Sequence, residues 1–360
     1  MKDPDARHIP GMRHPHYELD ETQALELLAA ASTVHLATTT SAGAPVLRAL
    51  HAVVLDGAVW FHGSPDGEKA DVVGQPAVVS AEQVITAIPS YFVDAKRACP
   101  ATTYYRAVQA HGRVTRAEDR TDKARALAAL MAKHQPEGGF APLEPESPLY
   151  ANMLDYLLIL RVPIERLDGK CKLGQNRSPK QLTQIIERLW QRGAPGDDHA
   201  IEALRAANPA VPEPEFLRAP AQLRLHCALG ERHVESAVEL VAGEYWNAGI
   251  SRETLAQAHR GASAWVGACD ASGRLVATAR AVSDGAKFAY IADVAVAREG
   301  RGSGVGKALL RLLLDHPSLR RVQGVRLGTA DATEFYRAFG FTETSRIKRS
   351  FTSVEMLLLR

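Results

Sequence analysis

The chain has 360 residues, of which 46% are hydrophobic and 23% are charged, and its formal net charge is +2. This composition is ordinary for a globular protein and excludes a mainly disordered, collagen-like or coiled-coil chain. The near-neutral charge also argues against nucleic-acid binding as the main function. Because one hydrophobic core seldom serves so long a chain, we expect two or three domains. No apolar run approaches the roughly 20 residues that a membrane span needs.

The four cysteines stand far apart in the sequence, at Cys99, Cys171, Cys227 and Cys269. No CxxC pattern and no cysteine–histidine zinc spacing occurs, so we expect no metal site. The first twenty residues are polar and lack the apolar region of a signal peptide. These features predict a reduced, cytoplasmic protein.

The first part of the chain reads as short strands, hairpins and few helices. Asp20 is a candidate cap for the first helix, and Asp56-Gly57 is a hairpin turn between two strands. The pattern predicts strands at Thr33–Thr40, Pro45–Leu55, Ala58–His62, Gln75–Ser80, Gln109–Thr115 and Tyr156–Val162, and helices at Asp119–His134 and Lys180–Trp190. Antiparallel strands in this arrangement indicate a small β-barrel.

A segment rich in proline and glycine follows, and we interpret residues 193–222 as a linker that contains one short helix at His199–Ala207. Proline removes helix donors and glycine favours turns, which is typical of such segments. The linker separates a domain at 1–192 from a domain at 223–360.

The last part of the chain alternates helices and strands and predicts an α/β domain, so the whole chain is of the mixed α+β class. The pattern predicts helices at His233–Val241, Gly306–Leu314 and Ala332–Phe339, and strands at Ser263–Cys269, Leu275–Ser283, Phe288–Val296 and Val325–Thr329.

A glycine-rich turn joins the strand that ends at Val296 to the helix that begins near Gly306. Glycines at 302, 304 and 306 let backbone N–H groups approach an anion, and the helix N-terminus adds its positive dipole end. This geometry suits a pyrophosphate, although a plain strand–helix turn is the simpler alternative. The turn lacks the Gly-Lys-Ser/Thr element of a Walker A loop, and no βαβ unit follows it as in a Rossmann fingerprint.

Arg301-x-x-Gly304-x-Gly306 resembles the acetyl-CoA-binding signature of the GNAT acetyltransferases, and Tyr336-Arg-Ala-Phe-Gly-Phe341 resembles their downstream tyrosine segment. The resemblance covers roughly residues 225–345 and includes Glu244-Tyr-Trp246 and Leu275–Arg280. It implies that acetyl-CoA binds through its pyrophosphate at Arg301, Gly302, Ser303, Gly304, Val305, Gly306 and Lys307, and through its pantetheine arm along Val294 and Val296.

The same resemblance implies that Tyr336 protonates the leaving thiolate as a general acid. The alternative is that Tyr336 is a packed aromatic beside Phe335 and Phe339. Glu244, Asp293 and Asp331 are candidate bases for the amine. An aspartate in an apolar strand is unusual, and a structural hydrogen bond to a neighbouring loop is the other interpretation of Asp293.

In the first domain, a strand end is followed by a turn of small residues and a lysine, from His62 through Ser64 to Lys69. Backbone donors, a hydroxyl and one cation in such a turn suit a phosphate, and Arg48 on the preceding strand could add a bidentate contact. The alternative is a solvated hairpin end with a surface lysine.

Residues 15–175 resemble the FMN-binding split-barrel family that includes the pyridoxamine 5′-phosphate oxidases, and most of all its nitroimidazole-resistance (Nim) reductase branch. The matching stretches include Phe61-His62, Gly67-x-Lys69, Thr102–Val108 and His111-Gly-Arg113. The resemblance implies an FMN site lined by Arg48, His62, Ser64, Lys69 and Thr103, and a homodimer that shares its flavin sites. His62 is a catalytic candidate, or a structural hydrogen-bonding residue on its strand. Val53 stands where the oxidase branch has a lysine, so we do not expect pyridoxamine phosphate oxidation.

The two resemblances predict a bifunctional protein, in which an FMN-dependent oxidoreductase is fused to an acetyl-CoA-dependent N-acetyltransferase for a small amine. Two alternatives stay open. The barrel can be a flavin- or ligand-binding sensor or dimerisation module that controls the transferase, or both domains can act in turn on one small molecule.

Overall fold

The computed structural model of the chain describes residues 15–220 and 222–346. The chain divides into two compact units, Met1–Glu215 and Phe216–Arg360. This division falls inside the segment 193–222, and the first part of that segment carries a helix that packs within the first unit. The described helices include none that is both long and apolar enough to cross a membrane.

The helices of the first unit begin at residues whose side chains cap them. Asp20 accepts a hydrogen bond from the Gln23 N–H at 2.8 Å, and Asp119 accepts one from the Thr121 N–H at 2.7 Å. Such caps satisfy N–H groups that have no partner inside the helix. The helices are α1 (Glu21–Ala30), α2 (Arg120–His134), α3 (Ala151–Tyr156), α4 (Pro179–Arg192) and α5 (Asp197–Ala207).

The strands of the first unit form two antiparallel sheets. They are β1 (Val34–Thr39), β2 (Pro45–Leu50), β3 (Val53–Leu55), β4 (Ala58–Gly63), β5 (Pro76–Ile88), β6 (Thr102–Arg113), β7 (Thr115–Arg116), β8 (Leu158–Pro163) and β9 (Arg166–Lys172). One sheet has the order β2-β1-β5-β6-β9 and the other β3-β4-β8-β7. Asp56 and Gly57 join β3 to β4 with φ values of 49° and 71°, as the predicted tight turn requires.

The prediction of one strand over Pro45–Leu55 is wrong. β2 ends at Leu50 and β3 begins at Val53, and the two strands belong to different sheets. Ala52 is buried at the corner between them. Neither glycine nor proline stands there, so the local sequence carries no turn signal. The predicted strands at Gln75–Ser80 and Gln109–Thr115 are parts of the much longer β5 and β6.

The second unit is a five-stranded sheet of order β10-β11-β12-β13-β14, in which only β13 and β14 pair in parallel among the described strands. The strands are β10 (Arg224–His226), β11 (Ala264–Cys269), β12 (Leu275–Ser283), β13 (Phe288–Val296) and β14 (Gly324–Arg326). The helices are α6 (Val234–Val241), α7 (Arg252–Arg260), α8 (Val305–Leu314) and α9 (Thr333–Arg337).

Two hydrophobic layers stabilise this sheet. α6 and α7 contribute Val238 and Leu255 to a core that includes Trp265 of β11. α8 buries Leu309 and Leu313 and packs on β11, β12 and β13. The mixed α+β class, with an antiparallel-sheet unit followed by an α/β unit, is therefore confirmed. Pattern alone did not predict α3, α7, β9 and β10, of which α3 and β10 have only 6 and 3 residues.

Candidate functional site

β13 is interrupted at Asp293, whose φ of 51° lies in the left-handed region. The register with β12 shifts there, from Thr278 opposite Ala295 to Arg280 opposite Ala292. The extra residue makes a β-bulge, a feature that bends a strand and re-aims a side chain. A non-glycine residue in this conformation costs roughly 1–3 kcal/mol and has to be held by its surroundings.

Three donors hold the buried carboxylate of Asp293. Arg280 Nε lies 2.6 Å from Oδ2, while Asn247 Nδ2 and Trp246 Nε1 lie 2.9 and 3.1 Å from Oδ1. Burial alone would raise the pKa of Asp293, but the hydrogen bond from Asn247 and the charge and hydrogen bond of Arg280 outweigh it, so the pKa lies below its ordinary value. A carboxylate in this state is a weak base. It fixes the segment 245–247 to β13, which agrees with the structural interpretation of Asp293.

After Tyr290, and before the bulge is reached, β13 loses its described neighbour on one side. β14 pairs with β13 only over Phe288–Tyr290, whereas β13 continues to Val296. Among the described residues, no strand pairs with the β14 side of residues 291–296. An unpaired strand edge offers backbone donors and acceptors to an extended ligand. Val294 and Val296, the predicted pantetheine contacts, lie on this edge.

The predicted glycine-rich turn is formed as expected. After β13 a short 3₁₀ turn at Arg298–Gly300 leads to Gly302 and Gly304, whose φ values are 79° and 88°, and Gly304 caps the start of α8. A Cβ at Gly302 would meet nothing within 4 Å, so glycine is needed there for its backbone angle and not for space. The first N–H groups of a helix lack intrahelical partners, which makes this end of α8 suited to an anion.

Side chains around the turn form hydrogen bonds with nearby backbone groups and with Glu244. Ser303 Oγ donates to the Gly300 carbonyl at 2.7 Å and accepts from the Val305 N–H at 3.3 Å. Arg301 Nε donates to the Val296 carbonyl at 3.2 Å, and its Nη2 lies 3.4 Å from Glu244 Oε1. The structure thus places Glu244 beside the turn and pairs it with a cation. Gly306 and Lys307 lie in the first turn of α8.

Tyr336 lies on α9, with ring contacts to Phe335 and Phe341. Burial raises its pKa, and the neighbouring Tyr245 and Asp331 raise it further. The phenol therefore stays protonated over a wide pH range, as a general acid requires. Tyr336 is thus a packed aromatic, as one interpretation expected, and its role as a general acid stays a prediction.

Tyr245 joins the segment around Trp246 to the loop that follows β14. Its hydroxyl accepts a hydrogen bond from the Ala330 N–H at 2.9 Å and donates to Asp331 at 3.3 Å. The structure therefore brings Tyr245, Asp331 and Tyr336 together. Asp293 lies next to this group, where it accepts a hydrogen bond from Trp246 Nε1.

Sequence reasoning assigned no role to Arg280, Tyr245 or Asn247. Arg280 carried a signal, since it is a cation within the otherwise apolar strand β12. Tyr245 lay inside the quoted Glu244-Tyr-Trp246 match without a stated role. Asn247 carried no signal, because its contact with Asp293 spans 46 positions of the sequence.

In the first unit, Arg48, His62 and Lys69 form one cationic cluster. Lys69 Nζ donates to the His62 carbonyl at 3.1 Å, and its stem lies so close to Gly63 that a Cβ there would be 2.8 Å from Lys69 Cδ. Burial lowers the pKa of Lys69, and the charge of Arg48 lowers it further. Burial, Lys69 and His51 in turn lower the pKa of His62.

Burial is the larger cause of both lowered pKa values, and repulsion between neighbouring cations adds to it. An anion at the turn would relieve that repulsion. Arg48 also pairs with Glu68, which partly offsets its charge. Ser64 lies in the same turn, where its carbonyl accepts the Gly67 N–H at 3.2 Å.

Thr103 is not brought to this cluster within one chain. Across the sheet, Arg48 of β2 pairs with Leu36 of β1, which pairs with Val79 of β5, which in turn pairs with Ala110 of β6. Arg48 and Ala110 therefore lie at the same height along the strands. Thr103 lies seven residues from Ala110 along β6, which corresponds to roughly 20 Å at the rise of a strand. It pairs with Ala87 on β5 and is exposed.

The two units match two different family models. Residues 20–171 match the model described as pyridoxamine 5′-phosphate oxidase, and residues 232–341 match the acetyltransferase (GNAT) family. The molecule thus consists of an antiparallel-sheet domain of the first type followed by an α/β domain of the second. The chain is a fusion of a pyridoxamine 5′-phosphate oxidase-like domain with a GNAT-family domain.

Several solved structures are similar to single domains of the chain. A candidate 5-nitroimidazole antibiotic resistance protein of Bacteroides thetaiotaomicron is 14% identical, with 42% of this chain and 83% of that chain covered and a TM-score of 0.34. The FAD and haem binding protein of Mycobacterium smegmatis is 16% identical, with 42% and 71% covered and a TM-score of 0.36.

For the second unit, a candidate GNAT-family acetyltransferase of Xanthomonas campestris is 30% identical, with 37% of this chain and 96% of that chain covered and a TM-score of 0.31. Among curated proteins, none matches the chain significantly.

Proposed function

We propose that the second unit is an acetyl-CoA-dependent N-acetyltransferase that acts on a small amine. The observation that carries this proposal is the continuous path from the unpaired edge of β13 to the glycine turn and the start of α8. On this path, the N–H groups from Gly302 to Gly306 hold the pyrophosphate and Arg301 and Lys307 add positive charge. The backbone of Val294 and Val296 orients the thioester.

In the transfer step, the amine nitrogen forms a bond to the acetyl carbonyl carbon and the carbon–sulfur bond breaks. Tyr336 supplies the proton that the leaving thiolate accepts, since its raised pKa keeps the hydroxyl protonated. A carboxylate takes up the proton that the amine loses. Asp293 supports the step as a positioning residue, because two of its three hydrogen bonds hold Trp246 and Asn247 against β13.

Isothermal titration with acetyl-CoA tests this proposal. We expect binding to the full chain and a large loss of affinity in Arg301→Glu, which places a negative charge beside the pyrophosphate. Arg321→Glu makes the same charge change at an exposed position of the same unit and serves as the control. Absence of binding, or equal binding by both variants, would overturn the proposal.

For the first unit, we propose an FMN-dependent oxidoreductase of the Nim and pyridoxamine phosphate oxidase-like type. The cluster of Arg48, His62 and Lys69 supports this proposal, because crowded cations at a turn of small residues fit a phosphate. Ser64 would add a hydroxyl. A bound flavin supplies hydride and electron transfer. His62, at the end of β4, is the residue that we propose to line the reactive part of the site.

Thr103 would join this site only from a second copy of the chain, so we also propose a homodimer. Lys69→Met and Thr103→Val should each lower flavin content when expressed alone. Mixed dimers of the two variants should recover part of it, because one of their two sites keeps both residues. A monomeric protein, or mixing without recovery, would contradict the shared site.

Visible absorbance of the purified protein tests the flavin itself. A colourless protein that cannot be reconstituted with FMN would remove the oxidoreductase proposal. Retained flavin that no reductant turns over would favour the alternative of a sensor or dimerisation module that controls the transferase. If both domains act in turn on one small molecule, a nitro or N-oxidised substrate should yield its acetylated amine only with both cofactors present. The cytoplasmic location stays a prediction.

A further inference from the structure

The second unit exposes a group of large apolar side chains beside the proposed site. Tyr245, Trp246, Val282 and Tyr290 are 51%, 39%, 52% and 51% exposed. Contiguous apolar surface on a soluble domain marks a binding site more often than an isolated exposed side chain does. We propose that these four residues form the acceptor surface and that the acceptor is a primary amine on an apolar, ring-containing body. This inference rests on the proposed acetyltransferase function.

The four side chains lie around the place where β14 and the loop after it diverge from β13, beyond Tyr290, and we call this place the notch. Val282 and Tyr290 face each other across β12 and β13. The hydroxyl of Tyr290 reaches across to the loop after β14, since a Cβ on Gly328 would lie 3.3 Å from it. Tyr290 therefore closes the side of the notch that is formed by the end of the β13–β14 pairing.

The opposite side of the notch is formed by Tyr245 and Trp246, whose ring centroids are 5.0 Å apart. Tyr245 is fixed to the loop after β14 by its bond to the Ala330 N–H, and Trp246 is fixed to β13 by its bond to Asp293. Because hydrogen bonds hold both rings in place, the surface is preorganised, and a ligand does not have to order it.

This surface adjoins Asp331 and Tyr336, the residues near the proposed transfer step. Tyr245 donates to Asp331 at 3.3 Å, and both residues lie close enough to Tyr336 to raise its pKa. An acceptor on the rings therefore places its nitrogen near Asp331 and near the group that protonates the thiolate. Aromatic faces beside a carboxylate also suit an ammonium ion.

Of the three candidate bases, Asp331 fits the acceptor best. Glu244 faces the cation Arg301, and the carboxylate of Asp293 accepts three hydrogen bonds. Asp331 is exposed and bonded to the neutral hydroxyl of Tyr245. In the balanced step, Asp331 takes one proton from the ammonium group, the nitrogen displaces the thiolate from the acetyl carbon, and Tyr336 gives one proton to the thiolate.

Positive charge near Phe288, at the end of the notch away from Asp331, sets the orientation of the bound acceptor. Lys287 Nζ and the Arg326 guanidinium lie 5.3 and 5.5 Å from the ring centre of Phe288. These cations repel an ammonium group. The amine end of the acceptor therefore points to Asp331, and its apolar body lies over Tyr290 and Val282.

The test compares phenethylamine with ethanolamine as acceptors for the full chain, with acetyl-CoA as donor. We expect kcat/KM for phenethylamine to be at least about tenfold higher, because only that amine covers the rings. Tyr290→Ala should reduce this ratio about tenfold, and Tyr290→Phe should keep it. Tyr91→Ala removes a similarly exposed tyrosine from the first unit and should leave the ratio unchanged.

A second readout does not depend on turnover. Phenethylamine titrated into protein saturated with CoA should bind to the wild type and lose most of its affinity in Tyr290→Ala. Normal acetyl-CoA binding without any preference for phenethylamine would overturn this inference alone, as would a ratio unaffected by Tyr290→Ala. Absence of acetyl-CoA binding would overturn the proposed function and this inference with it.

Discussion

Arg280 and Asp293 form a buried ion pair in the middle of the second unit, with Nε 2.6 Å from Oδ2. Their side chains are only 14% and 2% exposed. The pair holds a left-handed aspartate in a β-bulge, and through that bulge it fixes the shape of the strand edge on which the acyl donor is proposed to lie. Stability and function therefore depend on the same contact.

Loss of this ion pair should strongly destabilise the folded protein. Arg280→Met leaves a buried carboxylate without its cation, and we expect a loss of about 3–5 kcal/mol in the free energy of unfolding. Arg274→Met removes exposed ion pairs with Glu299 and Asp270 and should destabilise the protein far less, because exposed pairs contribute little. Urea denaturation followed by tryptophan fluorescence measures both. Equal losses in the two variants would contradict the role assigned to the buried pair.

Asp293 should also contribute to acid sensitivity. Its pKa is lowered in the folded protein relative to 3.8. Its stabilising contribution is therefore present above the unfolded pKa and is lost as the pH falls through the folded pKa. Asp293→Asn should destabilise the protein at neutral pH but flatten the acid part of the curve. An unchanged slope of unfolding free energy against pH below about pH 4 would be inconsistent with this assignment.

Gly302→Ala should weaken acetyl-CoA binding by about tenfold or more, since rotation of the turn removes hydrogen bonds to a charged group. Gly273→Ala is a matched control, because Gly273 has φ 84° and equally open surroundings in the turn between β11 and β12. Both variants should lose about 1–2 kcal/mol of stability from the left-handed backbone. Titration calorimetry should separate them, and a loss of affinity in both would point to general destabilisation.

Tyr336→Phe should lower kcat by roughly a hundredfold and leave the dissociation constant of acetyl-CoA unchanged, as expected for removal of a general acid. Because the pKa of Tyr336 is raised above 10, the wild-type rate should show no alkaline fall from this group below that pH. Tyr91→Phe in the first unit is the control. A Tyr336→Phe enzyme with normal kcat would leave only the packing role.

Anion binding at the cluster around Lys69 should be accompanied by proton uptake. The pKa of His62 is lowered from 6.5 by burial and by the charges of Lys69 and His51, and an anion opposes those charges, so the pKa rises on binding. FMN titrations near neutral pH in buffers of different ionisation enthalpy measure the uptake. Lys69→Met should weaken FMN binding, and Lys180→Met, at an exposed position of α4, should leave it unchanged. Proton release on binding would have the wrong sign.

Local signals predicted much of the fold and part of the site. The cap at Asp20, the turn at Asp56-Gly57 and the glycine run before α8 each encode their structure within a few residues. The break between β2 and β3 is not encoded locally, because it depends on which sheet each strand joins.

The hydrogen-bond partners of Asp293 could not be predicted from the sequence either, because they come from other elements of the fold. Asn247 and Arg280 meet it from different elements, 46 and 13 positions away. Only the assembled sheet brings them together, and the same holds for Tyr290 and Gly328, whose approach depends on how β13 and β14 diverge.

That divergence has a consequence for the dynamics of the sheet. β14 leaves β13 after three residue pairs, so alternate amide groups of residues 291–296 face no other strand within the part of the chain that the structure describes. If the acyl donor binds as proposed, its amides take the place of the missing strand. Deuterium uptake by the amides of residues 291–296 should then slow when the donor is bound and rise again when the product leaves. This edge of the sheet is therefore protected from exchange only while the ligand occupies it.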